Sequence, residues 1–330
     1  MLFFLEIRAQ GCLDLRTTSA ISAEIGRISV WTQLCIARSS SNEYHSQMTN
    51  IDQFESIFKK ADKAQFELEE VDLDSILVVS DADESATESF VGQVKDFLDN
   101  TLLKKEIQWH PLAGPSHESV SDVVSKVNEL KPDMVCTFRN LRAPASDYPY
   151  SLGVYLDVLS QATDTPVLVL PSPYRQTAIP QSTKSVMAIA DHLTGDNHLV
   201  SYAARLISPG GQLLLSHVED QQVFERYMNV IGKIPAIDTD TARESIMQQL
   251  LQEPTDYIAS CAEVIERSNL PINVEQIVTV GHSLLDYKAL ISEHEIDLLV
   301  LNTKQEDQLA MHGLAYPLCV ELRDTPIMML

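Results

Sequence analysis

GVYLDVLSQATDTPVLVL (residues 153–170) and GLAYPLCVELRDTPIMML (residues 313–330) parallel one another over their whole length. In each, a glycine stands thirteen residues before the proline that opens a short apolar run. Directly upstream, ELKPDMVCTFRN (129–140) parallels EHEIDLLVLNTK (293–304). Repetition over such a span outweighs any single motif, because it marks one structural unit used twice. The chain reads as a divergent duplication.

Outward from these stretches, strand-like runs bounded by turn residues alternate with helical periods, the pattern of a parallel sheet covered on both faces. In the second half, SVMAIA (185–190) predicts a buried strand, HLVSYAARLI (198–207) a helix and, after Pro209-Gly210-Gly211, QLLLSHV (212–218) a second strand. INVEQIVTV (272–280), DLLVLN (297–302) and PIMML (326–330) supply three more strands, separated by helices through SLLDYKALISEH and GLAYPLCVELRD. The first half repeats the scheme with SILVVSD (75–81), KKEIQWHPL (104–112), DMVCTF (133–138) and PVLVLP (166–171), and lacks one strand-helix unit. The predicted class is α/β, with two doubly wound parallel-sheet modules at 75–171 and 184–330, the first one short.

Composition agrees. At roughly 150 residues per domain, 330 residues suggest about two domains. The formal charge of −23 repels phosphate backbones and anionic lipid heads, which excludes nucleic acid and acidic membrane as partners. Cys12, Cys35, Cys136, Cys261 and Cys319 show no CxxC spacing, which suits reduced thiols and a cytoplasmic location. The apolar runs fall far short of the roughly 20 residues that span a bilayer.

Residues 1–47 stand apart. Four acidic residues and four arginines leave the segment neutral, and no lysine precedes Lys59. Two readings remain for it: an organellar or membrane-associated leader, or translated upstream sequence before a start at Met48. The acidic residues favour the second. Between them and the first strand (48–74), Phe54, Ile57 and Phe58 recur at helical spacing and predict a short lead-in helix.

An acidic residue closing the first strand, LLLSHV, V-x-x-x-V-G-x-S, D-L-L-V-L and G-x(12)-P together resemble the universal stress protein family, over about residues 75–171 and 184–330. The resemblance implies a five-stranded parallel sheet of order 3-2-1-4-5, ATP at the carboxyl ends of its strands, and pairing through the last strands. Here that pairing becomes an internal pseudo-dimer, with homo-oligomers as a further expectation. It also places Asp191, and by repeat Asp81, near the adenine or ribose. ATP-binding members carry G-x-x-G, a nine-residue spacer and G-S or G-T, because bare backbone amides must approach the phosphates. In the second half that loop reads Asn302-Thr303-Lys304-Gln305 and later Gly313-Leu314; in the first, Asn140-Leu141-Arg142-Ala143 and Gly153-Val154. A Cβ at these positions hinders close approach, and Leu or Val offers no hydroxyl. The expectation is a weak adenine-nucleotide site at most, in the second half.

Asp191, His192, His217, His282, Asn302 and Thr303 fall at or beyond the carboxyl ends of four strands of the second half, where open α/β sheets bind ligands. Lacking tight ligand spacing such as HxxxH, the histidines read as solvated or hydrogen-bonded rather than as a metal site. Ser216 and His217, on opposite strand faces, do not form a nucleophile-base pair. Lys304 and Arg142 read as solvated loop cations, with phosphate contact the lesser alternative. Between His217 and Leu270 lies an insertion-like stretch, about 219–256, predicted to hold at least two helices, capped at Thr241-x-x-Glu244 and broken at Glu253-Pro254. It reads as extra crossover packing, with a lid or partner surface as the alternative.

Neither Asp81-Ala82-Asp83-Glu84 nor Asp191-His192-Leu193-Thr194 supplies the Gly- or Ser-rich phosphate loop that an adenine-nucleotide hydrolase needs. No catalytic residue is predicted. The expected function is a non-catalytic stress-response regulator or binding protein; the alternative is a module that has lost its nucleotide and engages a protein partner through its acidic surface or inserted helices.

Overall fold

The structure is a computed structural model that describes residues 65–103, 106–143, 150–174, 178–189, 195–303 and 313–330. The described residues belong to one compact unit, 63–330. Residues 1–47 and most of the predicted lead-in helix lie outside them.

The first half supplies β1 (Ser75–Val79), α1 (Glu84–Asp99), β2 (Gln108–Leu112), α2 (Val120–Leu130), β3 (Met134–Phe138), α3 (Val154–Ala162) and β4 (Val167–Leu170). The second supplies β5 (Ser185–Ile189), α4 (Asn197–Arg205), β6 (Gln212–Asp220), α5 (Gln221–Ile231), α6 (Thr239–Arg267), β7 (Asn273–Gly281), α7 (Ser283–Glu293), β8 (Leu298–Leu301), α8 (Ala315–Glu321) and β9 (Ile327–Met329). β3, β4, β8 and β9 are buried at every position, as strands covered on both faces must be.

All nine strands form one sheet, ordered β2-β1-β3-β4-β9-β8-β5-β6-β7. Within the second half the order is third-second-first-fourth-fifth. The chain winds one way from β5 to β7, then jumps back to β8 and β9. Right-handed crossovers therefore place helices on both faces, which is the doubly wound α/β fold. The first half has the same order without the outer strand. β4 and β9 then join antiparallel, Val167 opposite Met329 and Val169 opposite Ile327. Arg139 reinforces this joint by donating to the carbonyls of Val320, at 3.2 Å, and Leu322 at the carboxyl end of α8.

A shared device fixes where each half begins. Asp133 Oδ2 accepts from the backbone N–H groups of Asp74 and Ser75, at 2.8 and 2.9 Å. Asp297 Oδ2 does the same for Lys184 and Ser185, at 2.8 and 3.0 Å. Each aspartate precedes the fourth strand of the five-strand scheme and clamps the start of the first.

Three expectations are corrected. The predicted lead-in helix does not reach residues 65–74, which run without regular structure. There the N–H groups of Phe66, Glu67 and Glu69 donate to Ser260 Oγ, Asn197 Oδ1 and Ser201 Oγ, while Phe66 and Leu73 are buried. Bonds to α4 and α6 side chains replace helical ones. The insertion does form two helices, but Pro254 does not break the second, and α6 runs through it for 29 residues. The Pro254 side chain is buried against the sheet side of α6 with Tyr257, Ile258 and Cys261, and Thr255 Oγ1 bonds Leu251 O at 2.7 Å. The cap of α6 is Asp238, which accepts from Asp240 N and Thr241 Oγ1, and not Thr241 itself.

Candidate functional site

Both halves bring loops to the carboxyl ends of their strands, but the two crevices are finished differently. In the first half, β1 leads into Ser80 and Asp81, and β3 into Arg139, Asn140, Leu141 and Arg142. Asn140 and Arg142 both adopt positive φ, 56° and 59°, an arrangement disfavoured for residues with a Cβ. The turn carries the Arg142 backbone back over β1, where its N–H donates to Asp81 Oδ2 at 2.8 Å. Tyr174, just past β4, donates its hydroxyl to Asp81 Oδ1, also at 2.8 Å. The Arg142 guanidinium continues inward to the carbonyls of Gly114 and His117. His117 is buried, with Nε2 at 3.0 Å from Ser80 O and its ring edge-on to Tyr155.

Glycines let these segments meet. A Cβ on Gly114 would lie 2.3 Å from the carbonyl oxygen of Asp81. Gly153, with φ at +90°, begins α3 where a Cβ would stand 2.8 Å from Asn140 Cα. Although the ring is 67% exposed, the Tyr174 phenol is pushed up to about 12, first by partial loss of water around its hydroxyl and then by its bond to Asp81. Asp81 thus gathers the Arg142 backbone and the Tyr174 hydroxyl at the first-half strand ends, while the Arg142 and Tyr174 side chains stay exposed. Arg142, read from the sequence as a solvated loop cation, is exposed, and its guanidinium also bonds the two backbone carbonyls of Gly114 and His117.

In the second half, Asp191, His192, Lys304 and Gln305 lie outside the described residues. Asn302, just past β8, reaches across to the loop after β5 and donates through Nδ2 to Asp196. The other Asp196 oxygen caps α4, accepting from Leu199 N at 3.0 Å. Burial raises the Asp196 carboxyl above the usual carboxylate range, opposed by the bonds from Leu199 and Asn302. Asn197, next in the chain, accepts from the Tyr257 hydroxyl at 3.0 Å. The strand-order switch between β5 and β8 is therefore spanned by an Asn-Asp bridge that sequence reasoning missed, having weighed Asp191 in the same D-H-L-T-G-D run.

Thr303 is buried, and its N–H and Oγ1 both donate to Leu330 O, each at 2.9 Å. Its hydroxyl ties down the chain end. Gly313 has φ of +54° shortly before α8. His217 is buried on β6, with Nε2 3.4 Å from Glu219. His282, at the start of α7, is exposed, and its N–H bonds Asp286 at 2.9 Å. His217 lies near the carboxyl end of β6 and His282 just past that of β7, the edge expected for them, without standing side by side. Asp220 pairs with Gly281, so His282 stands four positions beyond His217 along the ladder, about 13 Å at 3.3 Å per residue. Among the described residues no group of three or more His, Cys, Asp or Glu is placed to hold a metal ion. No helix among them is long and apolar enough to cross a membrane.

No family model matches the chain, and a search of curated proteins finds no match. Among solved structures it is similar to a universal stress protein from Archaeoglobus fulgidus, with 12% identity and a TM-score of 0.47 over 77% of this chain and 97% of that one. A functionally unknown protein from Pseudomonas aeruginosa PAO1 matches at 11% identity and a TM-score of 0.42, over 78% and 92%. A hypothetical protein used as a test case for structure-based assignment of biochemical function matches at 12% identity and a TM-score of 0.36, over 45% of this chain and 96% of its own.

Proposed function

We propose that the chain is a universal-stress-protein-like, non-catalytic regulator or binding protein, built as a tandem internal pseudo-dimer, in which contact with an adenine nucleotide is weak and confined to the second half. The observation that carries this reading is the antiparallel joint of β4 and β9, the last strands of two halves that share one strand order and one aspartate clamp. In the first half the strand-end Asp81 is already engaged by the Arg142 N–H and the Tyr174 hydroxyl, which supports the restriction to the second half. There, Asn302, Thr303, Gly313 and His217 border the strand ends, with Asp191, Lys304 and Gln305 the further residues proposed for contact and His282 at the far lip.

The test is a thermal shift with millimolar ATP or AMP and magnesium, because a ligand that binds only the native state raises its melting temperature. A saturable rise that is lost in Asp191→Ala is the expected result. No rise with any nucleotide overturns the reading.

A second reading, a module that binds a protein partner, draws on a different observation. Tyr227, Val230, Ile234 and Ile237, on and just after α5, are all exposed, Tyr227 at 61% and Val230 at 59%. An apolar strip on a surface of net charge −23 is the expected footprint of a protein interface.

A further inference from the structure

The sheet ends in two outer edges that are built differently. β2, at one end, is five residues long and carries Pro111. Gln108 N bonds Asp74 O, so residues 108, 110 and 112 face β1 and Pro111 faces outward, where its missing N–H interrupts the free edge.

β7, at the other end, has no such protection. It pairs with β6 through nine consecutive positions without a bulge. Its sequence, NVEQIVTVG, contains no proline or lysine and is rich in β-branched residues. Its one charged residue, Glu275, is drawn sideways to Gln212 on β6 and to His294, at 3.5 Å. Asn273 N donates to Gly211 O at 2.9 Å, which sets the alternation: odd-numbered residues bond β6, and Val274, Gln276, Val278 and Val280 turn their backbone N–H and C=O outward. Among the described residues no strand lies beyond β7. A long edge without proline, lysine or bulge is a template for another strand.

We propose that the occupant is a second copy of this chain, paired β7 to β7 antiparallel about a two-fold axis through Ile277. The strand is self-complementary in that register. Asn273 faces Gly281, Val274 faces Val280, Glu275 faces Thr279, Gln276 faces Val278 and Ile277 faces itself. Outward-turned residues meet outward-turned residues, as hydrogen-bonded antiparallel pairs require, and the two Glu275 carboxylates do not oppose each other. The same antiparallel device already joins β4 to β9. Repulsion between two copies of charge −23 opposes the dimer, so it tightens as salt shortens the screening length from about 10 Å at 0.1 M to about 3 Å at 1 M.

Sedimentation velocity on the full chain tests this. The expected result is a dimer whose population grows with sodium chloride. Gln276→Pro, at an exposed position that does not bond β6, weakens it about tenfold or more with an unchanged melting temperature. Ile277→Cys, at a close non-hydrogen-bonded pair, forms an intermolecular disulfide mapped by mass spectrometry to the introduced thiol, whereas Thr279→Cys does not. A wild-type monomer at every salt concentration, a Gln276→Pro protein that dimerises as well as wild type, or a failure of Ile277→Cys to self-link would each overturn the proposal.

Discussion

Arg142 and Asp81, 61 positions apart, tie the loop after β3 to the end of β1: the Arg142 N–H meets the Asp81 carboxylate at 2.8 Å while its guanidinium bonds the carbonyls of Gly114 and His117. The loop that elsewhere in such a sheet would approach a ligand is here folded onto the strand end. Its two positive-φ residues, Asn140 and Arg142, are held there by these bonds and by Gly153.

Removing the acceptor leaves two donors unmatched. Asp81→Ala is expected to lower stability by about 1 kcal/mol, read as a lower midpoint of urea unfolding with unchanged slope. Asp81→Asn keeps one acceptor oxygen, and its loss is smaller.

Gly114 and Gly92 make a contrasting pair. A Cβ at Gly114 lands on the Asp81 carbonyl, so Gly114→Ala costs about 1–3 kcal/mol. Gly92 lies inside α1 with nothing within 4 Å of its added Cβ, and Gly92→Ala stabilises by about 0.5–1 kcal/mol. Thermal denaturation of both variants checks the opposite signs.

Partial loss of water around the hydroxyl and the Asp81 bond hold the Tyr174 phenol protonated, moving its pKa from 10.0 to about 12. Between these values the folded chain binds more protons at this site than the unfolded chain, so the Tyr174 contribution to stability falls as pH rises. Ultraviolet difference titration of wild type against Tyr174→Phe measures the shift. In Asp81→Asn it moves back toward 10.

Asp133 and Asp297 each hold two backbone N–H groups at the head of a first strand. Either alanine substitution is expected to cost about 1–2 kcal/mol. Distant sites with no shared partners add, so the double variant should lose the sum of the two. Chemical denaturation of the three proteins checks this.

The doubly wound α/β fold was legible because buried strands write themselves as apolar runs, DLLVLN and PVLVLP among them, and because residues 153–170 repeat at 313–330. The glycine thirteen residues before each proline has a backbone reason: Gly153 and Gly313 both take positive φ ahead of a helix. The crevices were less legible. Arg142, Asp81 and Tyr174 meet only through long-range folding, and nothing local to any one of them points to the other two. The Asn302 contact with Asp196 spans 106 positions and was overlooked for the same reason. Pro254 was read as a break because local chemistry says so, and burial in the core overrides it. His282 does stand just beyond the carboxyl end of its strand, and only the length of β6 and β7 past their neighbours, which no local pattern encodes, sets it away from His217.

The central claim, nucleotide contact confined to the second half, is tested most directly by photolabelling the full chain with 8-azido-ATP and mapping the modified peptides by mass spectrometry. The account predicts that saturable label, competed by unlabelled ATP, falls within residues 184–330. Saturable label between residues 75 and 171 would contradict it.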